Sequence, residues 1–221
     1  MEHPRREAPI QDPSPRRRRR ISVYKAVVGQ GHGQILELGC GSGDLTYALA
    51  DHANKIVGID IALENLELAK MRRHRRPIAK DQAPKITFIQ MSAVNLGFTS
   101  ETFDYAVSTS MIEHLHPDDV QPHLREVWRV LKPGGRYLVW CPNRLGHHKD
   151  LDVHLSMHSM GEWIKRMRIS GFREFQSPLF NRPPMVNARF KVLLEKTLST
   201  LRIKILWSHL GVRNILLVAE K

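Results

Sequence analysis

The sequence predicts an α/β fold built on a doubly wound, seven-stranded, mostly parallel sheet, and three observations predict it. From residue 35 onward, short runs rich in Ile, Val and Leu alternate with stretches of helical period, and such alternation builds a parallel sheet covered by helices on both faces. The first of these runs ends in the spaced glycines Gly39, Gly41 and Gly43, the kind of break that lets a ligand approach the backbone at a strand's carboxyl end. The length, 221 residues, suits one domain, since domains run to roughly 100–200 residues.

The elements follow in chain order. Residues 1–20 hold Pro4, Pro9, Pro13 and Pro15, then five consecutive arginines at 16–20, and nothing periodic to bury; a disordered basic tail is expected there, with the folded domain spanning 21–221. The apolar run 35–39 is the first strand. Residues 45–52 form a helix, 55–60 a second strand, and 63–76 a helix with a basic far end. Strands are expected at 85–91 and 103–109, a helix at 118–131, and a fifth strand at 136–141, entered through Pro133-Gly134-Gly135. A helix over 159–170 stops at Gly171, and strands at 173–177 and 214–220 complete the seven.

Composition narrows the function classes. An apolar fraction of 42% with 25% charged residues is that of a soluble globular protein, and no run approaches the roughly 18 apolar residues that a membrane span requires. Residues 1–20 lack the apolar core of a secretory leader, and two cysteines, Cys40 and Cys141, support neither a disulfide framework nor a four-cysteine zinc site. A reducing cytoplasm is the expected location. The net charge of +12 is concentrated at the ends: residues 1–33 hold eight basic and three acidic groups, and residues 162–221 hold twelve and four. Basic ends favour an anionic partner, whether nucleic acid, membrane surface or acidic substrate.

The chemistry starts at Ile35-Leu-Glu-Leu-Gly-Cys-Gly-Ser-Gly43, followed by Asp44. A dinucleotide fingerprint would place its third glycine at position 44, where a carboxylate would repel a pyrophosphate. Glu37 ahead of the glycines suits a ligand carrying positive charge. The stretch resembles the first motif of class I S-adenosylmethionine-dependent methyltransferases. Further matches follow in the family's order: Val57-Gly-Ile-Asp60, Phe103-Asp-Tyr-Ala-Val107 and Val130-Leu-Lys-Pro-Gly-Gly-Arg136. The resemblance implies a Rossmann-like methyltransferase fold with strand order 3-2-1-4-5-7-6 and S-adenosylmethionine as cofactor. It also implies that Gly39, Gly41 and Gly43, with Glu37 and Cys40, hold the amino-acid end and Asp60 the ribose. Ile61 would cover the adenine face, Ser92 and Ala93 would meet its edge, and Ser108 would line the cofactor site. The acidic residue that usually accepts from the adenine amino group is replaced here by Met91-Ser92-Ala93.

After the fourth strand, Ser108-Thr-Ser-Met-Ile-Glu-His-Leu115 is similar to the segment ending in Glu-His-Leu or Glu-His-Val in quinone O-methyltransferases and small-molecule relatives. Glu113 and His114 are therefore candidates beside the reacting methyl, with His114 as general base or as a structural element of the wall. His154, in the loop after the fifth strand, is a second candidate base. His147, His148, His154 and His158 with Asp150 and Asp152 are irregularly spaced, which reads as a polar lid rather than a coordination sphere, and no metal is expected.

Acceptor class is the least determined property. Base-directed amino-methyltransferases carry Asn/Asp-Pro-Pro-aromatic where this chain has Ser108-Thr-Ser-Met111, which argues against nucleic acid. A small-molecule or lipid-like acceptor, methylated at oxygen, is the expectation; an RNA- or ribosome-directed enzyme and a non-catalytic cofactor-binding protein are its rivals. Within 178–213, Phe190, Leu193, Leu194, Thr197, Leu198, Leu201 and Ile205 fall at helical steps opposite Arg189, Lys191, Lys196, Arg202 and Lys204. A basic amphipathic helix is expected in this insertion, packing on the protein, covering a greasy acceptor or lying on an anionic membrane surface.

Overall fold

In a computed structural model, residues 14–29, 33–73, 85–144, 154–177 and 214–221 are described. Seven strands form one sheet in the order β3-β2-β1-β4-β5-β7-β6: β1 Gln34–Leu38, β2 Lys55–Asp60, β3 Ile86–Gln90, β4 Phe103–Thr109, β5 Leu131–Pro142, β6 Glu174–Gln176 and β7 Asn214–Glu220. The first five pair in parallel, whereas β7 runs antiparallel to both β5 and β6. Fold class and strand order are those expected.

Side-chain alternation sorts the strand residues between two cores, one on each face. Leu36 and Leu38 of β1 pack with Val139 of β5, Leu217 of β7 and Trp163. Ile35 faces the other way and joins Leu138, Leu216 and Leu45. Of the five helices expected, the four outside the 178–213 insertion are found among the described residues: α2 Asp44–Leu49, α3 Leu63–Arg73, α4 Pro117–Val130 and α5 Met160–Ile169. α5 opens with a reciprocal capping box between Ser159 and Glu162. β5 begins at Leu131, five residues earlier than expected, because the Pro133-Gly134-Gly135 segment stays in the strand as an irregularity. The register against β4 shifts there, between Phe103 and Tyr105.

The amino-terminal expectation needs correction from Ser14 onward. Residues 1–13 lie outside the described residues, but Pro15–Val28 is a helix, α1. Ser14 accepts from the Arg17 N–H at 3.4 Å, and Pro15 sits in the first turn, where its missing N–H is harmless. Tyr24 and Val28, four residues apart, are buried on the core of one sheet face, and the Tyr24 hydroxyl donates to the Ser108 carbonyl at 2.6 Å. Charge and proline content suggested disorder; two buried side chains and a cap specify a helix. The expected amphipathic helix of 178–213 lies outside the described residues. No helix among the described residues is long and apolar enough to cross a membrane.

Candidate active site

A cleft of about 680 Å³ opens at the carboxyl ends of β1, β2 and β4 and is also lined by α1. Its floor is the turn after β1. Gly39, Gly41 and Gly43 have φ of +67°, +52° and +77°, a region that costs other L-residues roughly 1–2 kcal/mol. The turn is pinned to β2: the Cys40 N–H donates to the Ile59 carbonyl at 2.8 Å and the Gly41 N–H to Asp60 Oδ2 at 2.7 Å. A Cβ on Gly41 would meet nothing within 4 Å, so this backbone borders open cleft, as a cradle for a bulky ligand requires. A Cβ on Gly39 would instead lie 2.4 Å from Met111 Cγ. Gly39→Ala is expected to lower stability by about 2–5 kcal/mol, from the left-handed backbone and overpacking together. Urea unfolding checks this, and a loss below about 0.5 kcal/mol would contradict the close approach.

Glu37 lies beneath the turn, 3% exposed, and the Thr46 hydroxyl donates to its carboxylate. Burial pushes the carboxyl up to about 8, opposed in part by the Thr46 hydrogen bond. A cleft-lining carboxylate of this kind is completed by a cation, which fits the ammonium of an amino-acid ligand. The raised pKa sets a sign. The folded protein holds the proton more tightly than the unfolded chain, so the contribution is full below the ordinary value of 4.5 and is lost as pH rises towards about 8. In the ligand-free protein, the Tm of Glu37→Gln relative to wild type is therefore expected to rise between those pH values. Parallel Tm curves would contradict it.

Asp60 ends β2 at 8% exposure. Besides Gly41, it accepts from the Ala62 N–H at 3.0 Å and from Asn65 Nδ2 at 3.2 Å. Three of about four acceptor sites on the carboxylate are thus engaged, leaving one for a ribose hydroxyl. Ile61 beside it is 73% exposed yet lines the cleft, an apolar surface suited to the face of a purine. Ser92 and Ala93 line the opposite stretch. Ser92 Oγ accepts from the Val94 N–H at 3.2 Å, and the Ala93 carbonyl meets His123 Nδ1 at 2.8 Å. Ser108 is not brought to the cleft. It is fully buried, with its hydroxyl 3.0 Å from the Tyr137 hydroxyl, and its neighbour Thr109, which points to the other face, lines the cleft instead.

The three candidate catalytic residues converge. Glu113 and His114 lie in a single 3₁₀ turn, Ile112–His114. The loop carrying His154 is fastened to that turn: the Ser156 N–H donates to the Glu113 carbonyl at 2.9 Å, and Ser156 Oγ donates to the Leu115 carbonyl at 2.8 Å. The rings of His114 and His154 are 5.0 Å apart. His114 is exposed and lines the cleft, whereas Glu113 is 1% exposed, and burial raises its carboxyl to about 7. Glu113 Oε2 and His154 Nδ1 have no hydrogen-bond partner among the described residues. One ligand atom from each of Glu113, His114 and His154 falls within 4.8 Å of the others, a spacing that could hold a metal ion. Of the histidine-rich loop, residues 147–152 lie outside the described residues, and His154 groups with Glu113 and His114.

Comparison with known proteins agrees with this fold. The methyltransferase-domain family matches residues 36–139. Residues 36–139 carry a class I S-adenosylmethionine-dependent methyltransferase domain. S-adenosylmethionine is the cofactor of this methyltransferase domain, and the Gly41 cradle, Glu37 and the exposed Ile61 fit its backbone contact, ammonium and adenine. The chain is 38% identical to a demethylmenaquinone methyltransferase of Lactococcus lactis over 46% of its own length and 39% of the relative's. It is 30% identical to an O-methyltransferase of Aspergillus nomiae, covering 63% of the chain and 62% of the relative. Among solved structures, the YcgJ protein of Bacillus subtilis superposes with a TM-score of 0.67 at 18% identity, covering 92% of this chain and 98% of that one, and shares the fold. The chain spans between 29% and 62% of the length of five curated relatives it matches.

Several lining residues escaped sequence reasoning. Arg17, Arg20 and Ile21 come from α1, a helix that was not expected, its residues up to 20 having been read as a disordered tail. Asn65 is brought there by its hydrogen bond to Asp60, and Met111 packs against the Gly39 backbone. His123, on the buried face of α4, is fully enclosed between the Ala93 carbonyl and the Tyr137 hydroxyl at 2.8 and 3.0 Å. Its position on an apolar helix face was the available signal.

Proposed function

We propose that this methyltransferase domain methylates a small or lipid-like hydroxylated acceptor, at oxygen, with His114 as the base. The observation that carries the reading is the cluster at the end of β4: an exposed histidine on the cleft wall, backed by Glu113 and His154. When bound, the cofactor supplies a methyl group on a sulfonium, open to in-line displacement. The protein's part is to hold the acceptor oxygen in line and to receive its proton.

A His114 ring nitrogen, facing the cleft, would accept that proton. Glu113, with its pKa near 7, and His154 close by would orient the ring and share the added charge. Relatives support the acceptor class: a ubiquinone biosynthesis O-methyltransferase of Homo sapiens is 31% identical over 50% of this chain. A ubiquinone/menaquinone C-methyltransferase of Syntrophotalea carbinolica, 34% identical over 56% of this chain, favours carbon as a second reading. The test is incubation with S-adenosylmethionine and a panel of phenols, hydroxyquinones and their lipid-tailed forms, with products resolved by mass and NMR. An O-methyl product supports the reading; a ring C-methyl product transfers the assignment to carbon.

A further inference from the structure

α1 sends two arginines, three residues apart and so on one face of the helix, to the cleft. Arg17 is engaged, donating to the Asp44 carboxylate, which also holds Arg72 at 2.9 Å. Arg20 is not: among the described residues it forms no ion pair, the Glu113 carboxyl acts on it only through space, and the Trp140 ring centre lies 5.6 Å from its guanidinium carbon. It is partly buried and lines the same cleft as His114 and Thr109. Burial is the main influence holding its pKa below the ordinary value. Tyr24 and Glu113 oppose the shift, and Arg17 adds to it. The guanidinium nevertheless stays protonated at neutral pH.

A permanent charge drawn partly out of water with no carboxylate in ion-pair contact is unfavourable in itself. It becomes favourable once an oxyanion meets its planar fork of donors, and an aromatic ring beneath restrains that fork. We propose that Arg20, seated on Trp140, forms a subsite for an anionic group of the methyl acceptor, a carboxylate or a phosphate monoester, and so selects acidic acceptors. The proposal deepens the small-molecule reading and rests on it. Placed on α1, the subsite also gives the helix a role in substrate choice.

The test titrates the intact chain, preloaded with S-adenosylhomocysteine, with benzoate, phenyl phosphate and the neutral benzamide. At least one anion is expected to bind about tenfold or more tightly than benzamide, and Arg20→Met to abolish that preference while S-adenosylhomocysteine affinity stays within about twofold. Arg20→Lys, which keeps the charge but not the fork, is expected to retain part of the preference. Equal binding of anions and benzamide, or no binding of either anion at millimolar concentration, overturns the proposal. So does an Arg20→Met variant that binds the anions as wild type does but loses S-adenosylhomocysteine, because Arg20 would then serve the cofactor's carboxylate. If S-adenosylhomocysteine fails to bind wild type at all, the methyltransferase reading itself fails and the subsite falls with it.

Discussion

His114→Gln is expected to reduce turnover about 100-fold while leaving affinity for S-adenosylmethionine nearly intact, the loss that removal of a positioned base produces. His114 lines the cleft from the end of β4 and is exposed, so the substitution removes a proton acceptor without opening a core. The pH profile adds a readout that a merely structural role would not move. With the Glu113 carboxyl raised to about 7 by burial, protonation below that pH removes the negative charge that supports an imidazolium, and turnover is expected to fall as pH drops through 7. Glu113→Gln should displace that limb. Wild-type turnover in His114→Gln would leave positioning alone, or His154, to account for the rate.

Asp60→Ala is expected to weaken S-adenosylmethionine binding by about 1.5–3 kcal/mol, roughly 10- to 150-fold. Two losses combine. One is an acceptor for a ribose hydroxyl; the other is the brace on the glycine turn, because Asp60 Oδ2 accepts from the Gly41 N–H at 2.7 Å. Asp60→Asn keeps one carbonyl acceptor and should fall between the two. Calorimetric titration measures both variants, and unchanged affinity in folded Asp60→Ala would remove this residue from the site.

What the sequence disclosed depended on how local the cause was. The turn of Gly39, Gly41 and Gly43 and the acidic end of β2 were legible because glycine conformation and strand endings are set within a few residues. The convergence of Glu113, His114 and His154 was legible only as separate candidates. Their 5.0 Å ring separation comes from Ser156, which ties a loop to a turn 43 residues earlier. Ser108 was misplaced because neighbours on a strand face opposite ways: Thr109 reaches the cleft while Ser108 is turned to Tyr137. α1 was missed because its arginines dominate the local pattern, while the burial that fixes it is contributed by Tyr24 and Val28 against the sheet. Arg17 and Arg20 were therefore visible as charge but not as cleft residues.

The cleft bordered by Gly41, Glu37, Asp60 and Ile61 is the proposed seat of S-adenosylmethionine. Calorimetric titration of the intact chain with S-adenosylhomocysteine, paired with its Tm, tests it most directly. Saturable one-to-one binding is expected, with a Tm that rises with ligand concentration and a matching loss of both effects in Asp60→Ala. No binding at millimolar ligand, or binding that Asp60→Ala leaves untouched, would contradict it.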